Sequence, residues 1–444
     1  MTRTPLWLDI DLGPDRTGPM AWGQQKILRE HLENPDDEYL PFQPMRIPVP
    51  AGVPLNSVRT ALNRLLTAHE SLRTLYPNEH EQRLRGACRL RVDMVEADDI
   101  DGTVARLHEV MCTHRFDFAR ELPLRIAIVT RRGEPAEIVS VISHMALDGV
   151  GLQILGEQLD RLLSEPDFPL PRADQPLELA AFQQSEAGRR QCERSLSDWE
   201  KAYLAAPRAM LTPARHSEPE PRYCEGQITS DALARAASEI AARTRTSRSN
   251  VLMAGTAALL GRRSGLDRCA ITSIASNRFS TRLVDHIGTI AQDALIVVGL
   301  TAPRFDDLVR ETWLSALQGY GNSLVDSAAQ RTVRERVEQC RGDGGYTRDF
   351  VFCDLVGSTP AGPRGSADPA GTQVEVVEAK YNWVRGYLTV HRIRDVAELS
   401  LWADCRYLSP AEVERFLRDL EQLLVKAAAG DLSAAATSGT AADS

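Results

Sequence analysis

His144 and Asp148 stand four residues apart in Ser143-His144-Met145-Ala146-Leu147-Asp148-Gly149. A histidine has a reference pKa of about 6.5, so it can take or give a proton near neutrality. An aspartate in a turn orients that turn by bonding backbone N–H groups or an arginine. Gly149 is expected to take a backbone angle that a side chain would forbid. Two elements must position these groups. Ile138, Val139, Val141 and Ile142 form a β-branched run that reads as a buried strand, and Leu152, Leu155, Leu159 and Leu162 recur at helical spacing. His144 is therefore expected at a strand tip, with Asp148-Gly149 closing the turn into a helix, which is a rigid support for a reactive side chain. A bare His-x-x-x-Asp is common and is more often structural than catalytic. The strand before it and the glycine after it favour chemistry here.

The same stretch resembles the HHxxxDG motif of condensation domains of nonribosomal peptide synthetases. Those domains share a fold with chloramphenicol acetyltransferase and related CoA-dependent acyltransferases. Further stretches are similar to other motifs of that family and follow in its order. Pro19-Met20-Ala21-Trp22-Gly23-Gln24-Gln25-Lys26-Ile27-Leu28 resembles the opening motif, an aromatic- and Gln-containing first helix. Ala68-His69-Glu70-Ser71-Leu72-Arg73-Thr74-Leu75-Tyr76 resembles RHExLRTxF, and Arg115-Phe116-Asp117-Phe118 through Pro123-Leu124-Arg125 resembles FDL…PLxR. Ser276-Asn277-Arg278-Phe279 followed by Ile287-Gly288 resembles the later NR…G motif. The sequence departs from the pattern at Ser143, where the family has its first histidine, and only Arg348-Asp349-Phe350 remains of a later arginine-rich motif.

The resemblance implies an α+β protein of two chloramphenicol acetyltransferase-like α/β-sandwich lobes, arranged as a V-shaped pseudo-dimer with a tunnel between them. It implies that a carrier-bound acyl thioester enters from one side and a nucleophile from the other. His144 would be catalytic. It would accept the nucleophile's proton, or hold the nucleophile and support the tetrahedral intermediate. Ser143, Asp148, Gly149 and Arg278 would support the active-site loop: Asp148 by shaping it, Arg278 as the ion partner of Asp148, and Gly149 by letting the backbone approach the thioester. No metal and no cofactor of its own is implied. The phosphopantetheine arm would come on a partner acyl or peptidyl carrier protein in trans.

Composition agrees with a globular chain, at 43% hydrophobic and 25% charged, and 444 residues is long for one core, so two lobes are expected. A net charge of −9 argues against nucleic acid, whose phosphates need a basic surface. No signal peptide is read in residues 1–12, which carry Asp9 and Asp11, and no apolar run reaches the roughly 18 residues that span a bilayer. The eight cysteines contain no C-x-x-C pair, which fits a reducing cytoplasm rather than a zinc site or a disulfide framework. A monomer is expected.

Strands are expected at 44–50, 88–95, 124–130 and 137–143, the last two a hairpin through Arg131-Arg132-Gly133-Glu134-Pro135. A helix is expected over 55–75, with His69 on its apolar face as a bonded core histidine. The first lobe would be 1–176 and largely antiparallel, ending in a proline-rich linker at 164–176. The second lobe would be 177–429, with helices at 177–206, 231–243, 249–263 and 303–318, and strands at 269–275, 294–299, 350–355, 384–392 and 397–403. Ser409-Pro410-Ala411-Glu412 is a capping box that opens a final helix. The glycine- and proline-rich stretch 357–373 would be either a surface loop or a latch crossing between lobes, and 430–444 a disordered tail.

Three functions compete on the sequence. The first is a free-standing condensation enzyme that joins a carrier-bound acyl or aminoacyl thioester to an amine or hydroxyl in natural-product (antibiotic) biosynthesis. It is free-standing because no L-G-G-x-S-like phosphopantetheine site and no nucleotide-binding loop is found. The second is a CoA-dependent acyltransferase, disfavoured by the lack of a DFGWG motif. The third is a condensation-like docking protein without catalysis, which Ser143 favours and His144, Asp148 and Gly149 oppose.

Overall fold

The computed structural model describes residues 5–35, 42–213, 219–356 and 371–430. The chain forms two compact units, one of Met1–Arg190 with Ser276–Ala291, the other of Gln191–Ala275 with Gln292–Ser444.

The first unit runs β1 (Leu6–Asp11), β2 (Arg16–Pro19), α1 (Trp22–Glu33), β3 (Phe42–Pro48), α2 (Leu55–Ala68), a 3-10 turn (Glu70–Arg73), β4 (Thr74–Leu75), β5 (Glu81–Leu84), β6 (Ala87–Glu96), α3 (Ile100–Cys112), β7 (Leu124–Arg131), β8 (Glu134–Ser143), α4 (Gly149–Ser164), α5 (Pro176–Gln184) and the start of α6 (Glu186–Ala205). Its main sheet has the order β1-β6-β7-β8-β3, with only β6 and β7 parallel. A small sheet orders β2-β5-β4 beside it. Strand β8 is apolar on both faces because both faces are covered. Ile138 and Ile142 join the core formed with α2 and α4, while Val139 and Val141 pack among the residues of α3. That double burial makes β8 a rigid rod, and its last residue leads straight into His144.

Helix α2 stops at Ala68 rather than continuing to 75. Arg73, 2% exposed, turns back on it: Nε donates to the Leu66 carbonyl at 2.6 Å and Nη1 to the Arg85 carbonyl at 2.6 Å. The first bond satisfies a carbonyl that the helix end leaves free, the second ties the residue to the far end of β5, and 74–75 pair as a strand. His69 sits at the helix end rather than on its face, buried, with Nε2 against Gln158 Oε1 at 2.6 Å.

The expected boundary at 176 differs from the contact division, which keeps 177–190 in the first unit. The reasons are local. Gln183 Oε1 accepts from the Trp22 N–H at 2.9 Å, and Leu179 and Ala180 pack with Ala21 and Ile290. The expected helix 177–206 is two helices, α5 and α6. Ser185 takes extended angles between them, and its Oγ donates to the Phe182 carbonyl and accepts from the Gly188 N–H.

In the second unit the elements are β9 (Tyr223–Ser230), α7 (Asp231–Thr244), α8 (Arg248–Ser264), β10 (Arg268–Ala275), β11 (Gln292–Gly299), α9 (Phe305–Gly321), α10 (Ser327–Arg341), β12 (Phe350–Asp354), β13 (Gln373–Glu378), β14 (Gly386–Ile393), β15 (Ala397–Asp404) and α11 (Pro410–Ala428). The sheet order is β11-β10-β12-β14-β15-β9-β13. Helix α8 is buried without a break from Asn250 to Gly261, as expected of a central helix packed on both sides. Glu412 closes the capping box of α11 by accepting the Ser409 N–H at 2.8 Å. The mixed helix-and-sheet character of both units is that of an α+β protein. Most of the 357–373 stretch and all but the first residue of the 430–444 tail lie outside the described residues. Among the described residues no helix is long and apolar enough to cross a membrane.

Candidate active site

Strand β8 ends at Ser143, and residues 144–146 turn before Asp148 opens α4. Ser143 is fully buried. Its N–H donates to the Pro123 carbonyl at 2.8 Å, and its Oγ accepts from the Met145 N–H at 3.2 Å. The hydroxyl therefore braces the turn directly behind His144.

Asp148 is 1% exposed and saturated with donors. Oδ1 accepts from the Gly151 N–H at 2.8 Å, which caps α4. Oδ2 accepts from the N–H groups of Ile290 at 3.0 Å and Ala291 at 2.9 Å. Arg278 pairs with the same carboxylate, with Nη2 2.8 Å from Oδ1 and Nη1 3.1 Å from Oδ2. The rest of the guanidinium donates to the carbonyls of Ser276, His286 and Gly288. Every part of this buried pair is thus bonded, the condition for a buried ion pair to be tolerated. Burial alone would raise the Asp148 pKa, but the Arg278 charge and the hydrogen bonds outweigh it and hold the carboxyl below its usual range. This knot also ties 276–291 into the first unit, although α5 to β10 separate it in sequence from α4. The structure brings His144, Asp148, Gly149 and Arg278 together, with Asp148 and Arg278 in direct contact.

Gly149 departs from expectation. It is the first residue of α4 and is not among the glycines with positive φ, so no forbidden angle requires it. A Cβ built there would meet nothing within 4 Å. What the glycine provides is open space at the start of α4. The crowded glycines lie elsewhere: a Cβ at Gly151 would come 3.2 Å from Arg278 Nη2, and one at Gly23 would come 2.2 Å from the Thr289 carbonyl oxygen.

His144 is half-buried. Burial pushes its pKa below the ordinary value; the charges of Asp148 and Glu30 and its own main chain oppose the shift, and Lys26 adds to it. The imidazole is therefore held towards its neutral form, the form that can accept a proton. The Thr289 hydroxyl donates to the His144 carbonyl, and the Tyr76 hydroxyl donates to the Met145 carbonyl at 2.7 Å. Gln24 Nε2 reaches both Tyr76 Oη at 3.3 Å and Gln82 Oε1 at 3.1 Å. Gln82 in turn donates to the carbonyls of Pro19 and Pro176. This chain fixes the turn from the α1 side.

Sequence reasoning did not assign these supports a role. Gln24 and Tyr76 lie inside stretches already singled out, and Thr289 directly follows Ile287-Gly288. His31 was missed entirely. It shares the buried face of α1 with Gln24, Ile27 and Leu28, so helical spacing was its only signal. Among the described residues no group of three His, Cys, Asp or Glu side chains is placed to hold a metal.

The family model of the condensation domain matches residues 25–314. The chain belongs to the condensation domain family. Its relatives include the phosphinothricin tripeptide synthetase PhsC of Streptomyces viridochromogenes, 28% identical over 357 residues that make up 72% of this chain and 32% of PhsC. A probable nonribosomal peptide synthetase of Salinispora arenicola, CymA, is 27% identical over 69% of this chain and 4% of CymA. The chain thus spans a minor part of these curated relatives. Among solved structures, the condensation domain that mediates chain release from the enacyloxin polyketide synthase aligns with a TM-score of 0.71 at 17% identity, over 92% of this chain and 83% of that one. The X-domain from teicoplanin biosynthesis aligns with a TM-score of 0.67 at 17% identity, over 91% and 94%. The SgcC5 protein of Streptomyces globisporus does so with a TM-score of 0.67 at 17% identity, over 94% and 100%. At these identities the structural likeness shows the fold, which is that of condensation domains.

Proposed function

We propose that this condensation domain is a condensing acyltransferase, which joins an acyl or aminoacyl thioester on a carrier protein to an amine or hydroxyl. The observation that carries the reading is His144, half-buried and held towards its neutral form on a turn braced by Ser143, Thr289, Tyr76 and the Asp148–Arg278 pair. In this reaction the nucleophile's nitrogen or oxygen attacks the thioester carbonyl carbon, and His144 takes the nucleophile's proton or holds the nucleophile in place for attack. The tetrahedral intermediate then expels the thiolate, the C–S bond breaks, and the proton passes to sulfur as the free thiol leaves. The open space at Gly149 suits the approach of the thioester to the start of α4. Asp148 and Arg278 act by holding the loop. The phosphopantetheine arm belongs to the partner carrier and is part of the substrate.

A second reading has its own support. Ser143 stands where the family motif has a histidine, and the X-domain from teicoplanin biosynthesis, similar in fold, has been solved in complex with OxyB. On this reading the domain docks a partner enzyme and performs no transfer. Acyl-loaded carriers incubated with nucleophile and either wild type or His144→Ala separate the two. Loss of the acyl group only with wild type supports catalysis. Intact acyl-carriers alongside tight binding of a partner enzyme support docking.

A further inference from the structure

The segment 288–291 reaches the active-site turn from a distant part of the sequence, and the Asp148–Arg278 pair fixes it on both sides of Thr289. The Gly288 carbonyl accepts from the Asp148 N–H at 3.3 Å and from Arg278 Nη2 at 3.1 Å. The N–H groups of Ile290 and Ala291 donate to Asp148 Oδ2, and the Ile290 carbonyl accepts from Asn277 Nδ2 at 2.8 Å. Thr289 itself is 2% exposed, and α1 presses so closely on its carbonyl that Gly23 has no room for a Cβ. From this frame the Thr289 hydroxyl donates to the His144 carbonyl.

That carbonyl is one end of the peptide group between His144 and Met145. The other end is held as well, because the Met145 N–H donates to Ser143 Oγ at 3.2 Å. Two hydroxyls thus grip one peptide plane, and the plane sets where the His144 carbonyl points. The ring of His144 bonds to its own main chain in the sense that favours the protonated ring, so the ring N–H donates and this same carbonyl accepts. Nδ1 is the ring nitrogen nearer the main chain, and among the described residues it has no other partner. The hydrogen that one ring nitrogen gives away decides that the other is left bare. We propose that Thr289 is a positioning residue for His144: its hydroxyl, delivered by the segment that Asp148 and Arg278 tie down, holds the His144 carbonyl where Nδ1–H meets it, and so leaves Nε2 free to face the nucleophile. Asp148 then acts on the chemistry through Thr289, by a route that runs along the main chain of 288–291. The reaction that Nε2 serves rests on the condensation reading; the grip on the carbonyl does not.

The test is 15N NMR and turnover of histidine-labelled wild type, Thr289→Val and Thr289→Ser, with His144→Ala used only to assign the His144 signals. Valine keeps the shape of threonine and removes the hydroxyl; serine keeps the hydroxyl. In wild type, Nδ1 of His144 reads as protonated and Nε2 as unprotonated. In Thr289→Val the two signals move towards each other, with the tautomer ratio changed about fivefold, the size of one net hydrogen bond. Turnover follows, with kcat lowered about fivefold and KM unchanged, and Thr289→Ser restores most of both. Asp148→Asn lowers kcat in the wild-type background and adds little in the Thr289→Val background, since both changes release the same carbonyl. If Thr289→Val does not fold, Thr289→Ala makes the same comparison. Unchanged 15N signals and kcat in the hydroxyl-free variant, with only a lower melting temperature, would overturn the proposal and leave Thr289 as the partner of a buried carbonyl. Equal losses in Thr289→Val and Thr289→Ser would overturn it too, because the hydroxyl would then be irrelevant. Fully additive losses with Asp148→Asn would overturn the route from Asp148. If wild type shows no turnover, the condensation reading fails, while the 15N result still decides the role of Thr289.

Discussion

Replacing Asp148 with alanine removes the acceptor for three backbone N–H groups, those of Gly151, Ile290 and Ala291, and strands the buried Arg278 charge. Breaking a buried ion pair from one side typically destabilises by about 3–5 kcal/mol, because the surviving charge has no partner. The lost cap of α4 adds about 1 kcal/mol, part of which is the same carboxylate counted twice. The expected loss is therefore roughly 4 kcal/mol in the first unit. Hydrogen exchange read by mass spectrometry is the suitable assay, because it reports peptides over 149–152 and 285–291 separately from the second unit. Those peptides should lose protection in Asp148→Ala while the helices α7 and α8 keep theirs. The double variant Asp148→Ala with Arg278→Met should lose less than the sum of the singles, since no buried charge is left unpaired. Wild-type exchange at 285–291 in Asp148→Ala would refute the argument that this carboxylate holds the segment. Because the Asp148 pKa is depressed, its contribution is fully present above the unfolded value of about 3.9 and is lost as pH falls through the lower folded value.

Mild acid should destabilise the protein through its buried histidines. His31 is pushed down to about 3, and His69 and His286 to about 4, chiefly by burial. Between those values and about 6.5 the unfolded chain binds protons that the native state does not, so stability falls as pH falls, by about 2 kcal/mol per histidine at pH 5. Thermal melts at pH 7.5 and 5 should show the drop, and His69→Gln should flatten it; a melting temperature independent of pH would contradict the burial argument. Two glycines should respond oppositely. Gly23→Ala forces a Cβ against the Thr289 carbonyl and should destabilise by about 1–3 kcal/mol, whereas Gly149→Ala fills open space, should leave the melting temperature unchanged or higher, and should lower turnover. A larger loss of stability in Gly149→Ala than in Gly23→Ala would invalidate the geometry.

The strand–turn–helix from β8 to α4 was legible because its signals are local. A run buried on both faces, a polar turn and a leucine stripe follow one another directly. Legibility failed where the contact is long-range. Nothing between 276 and 291 announces that its N–H groups belong to a carboxylate on Asp148, so the contact division departs from the linear boundary at 176. Thin patterns were missed for a different reason. Helix α10 buries only Ser327, Val333 and Val337, too few apolar positions to show a period, and β1 alternates over only six residues. Gly149 was misread because glycine carries two meanings, a permitted backbone angle and absent side-chain volume, and only the structure separates them.

The central claim is that His144 supports transfer of an acyl group from a carrier thioester to a nucleophile. Intact-protein mass spectrometry on a panel of acyl-loaded carrier proteins tests it most directly, with amines and alcohols offered in parallel and His144→Ala beside wild type. Loss of the acyl mass only with wild type and only with nucleophile is the expected result, and the nucleophile that works distinguishes amide from ester formation. Acyl-carriers that remain intact while acyl-CoA is consumed would place the reaction with CoA thioesters instead. Equal turnover by wild type and His144→Ala, with the fold retained, would contradict the account.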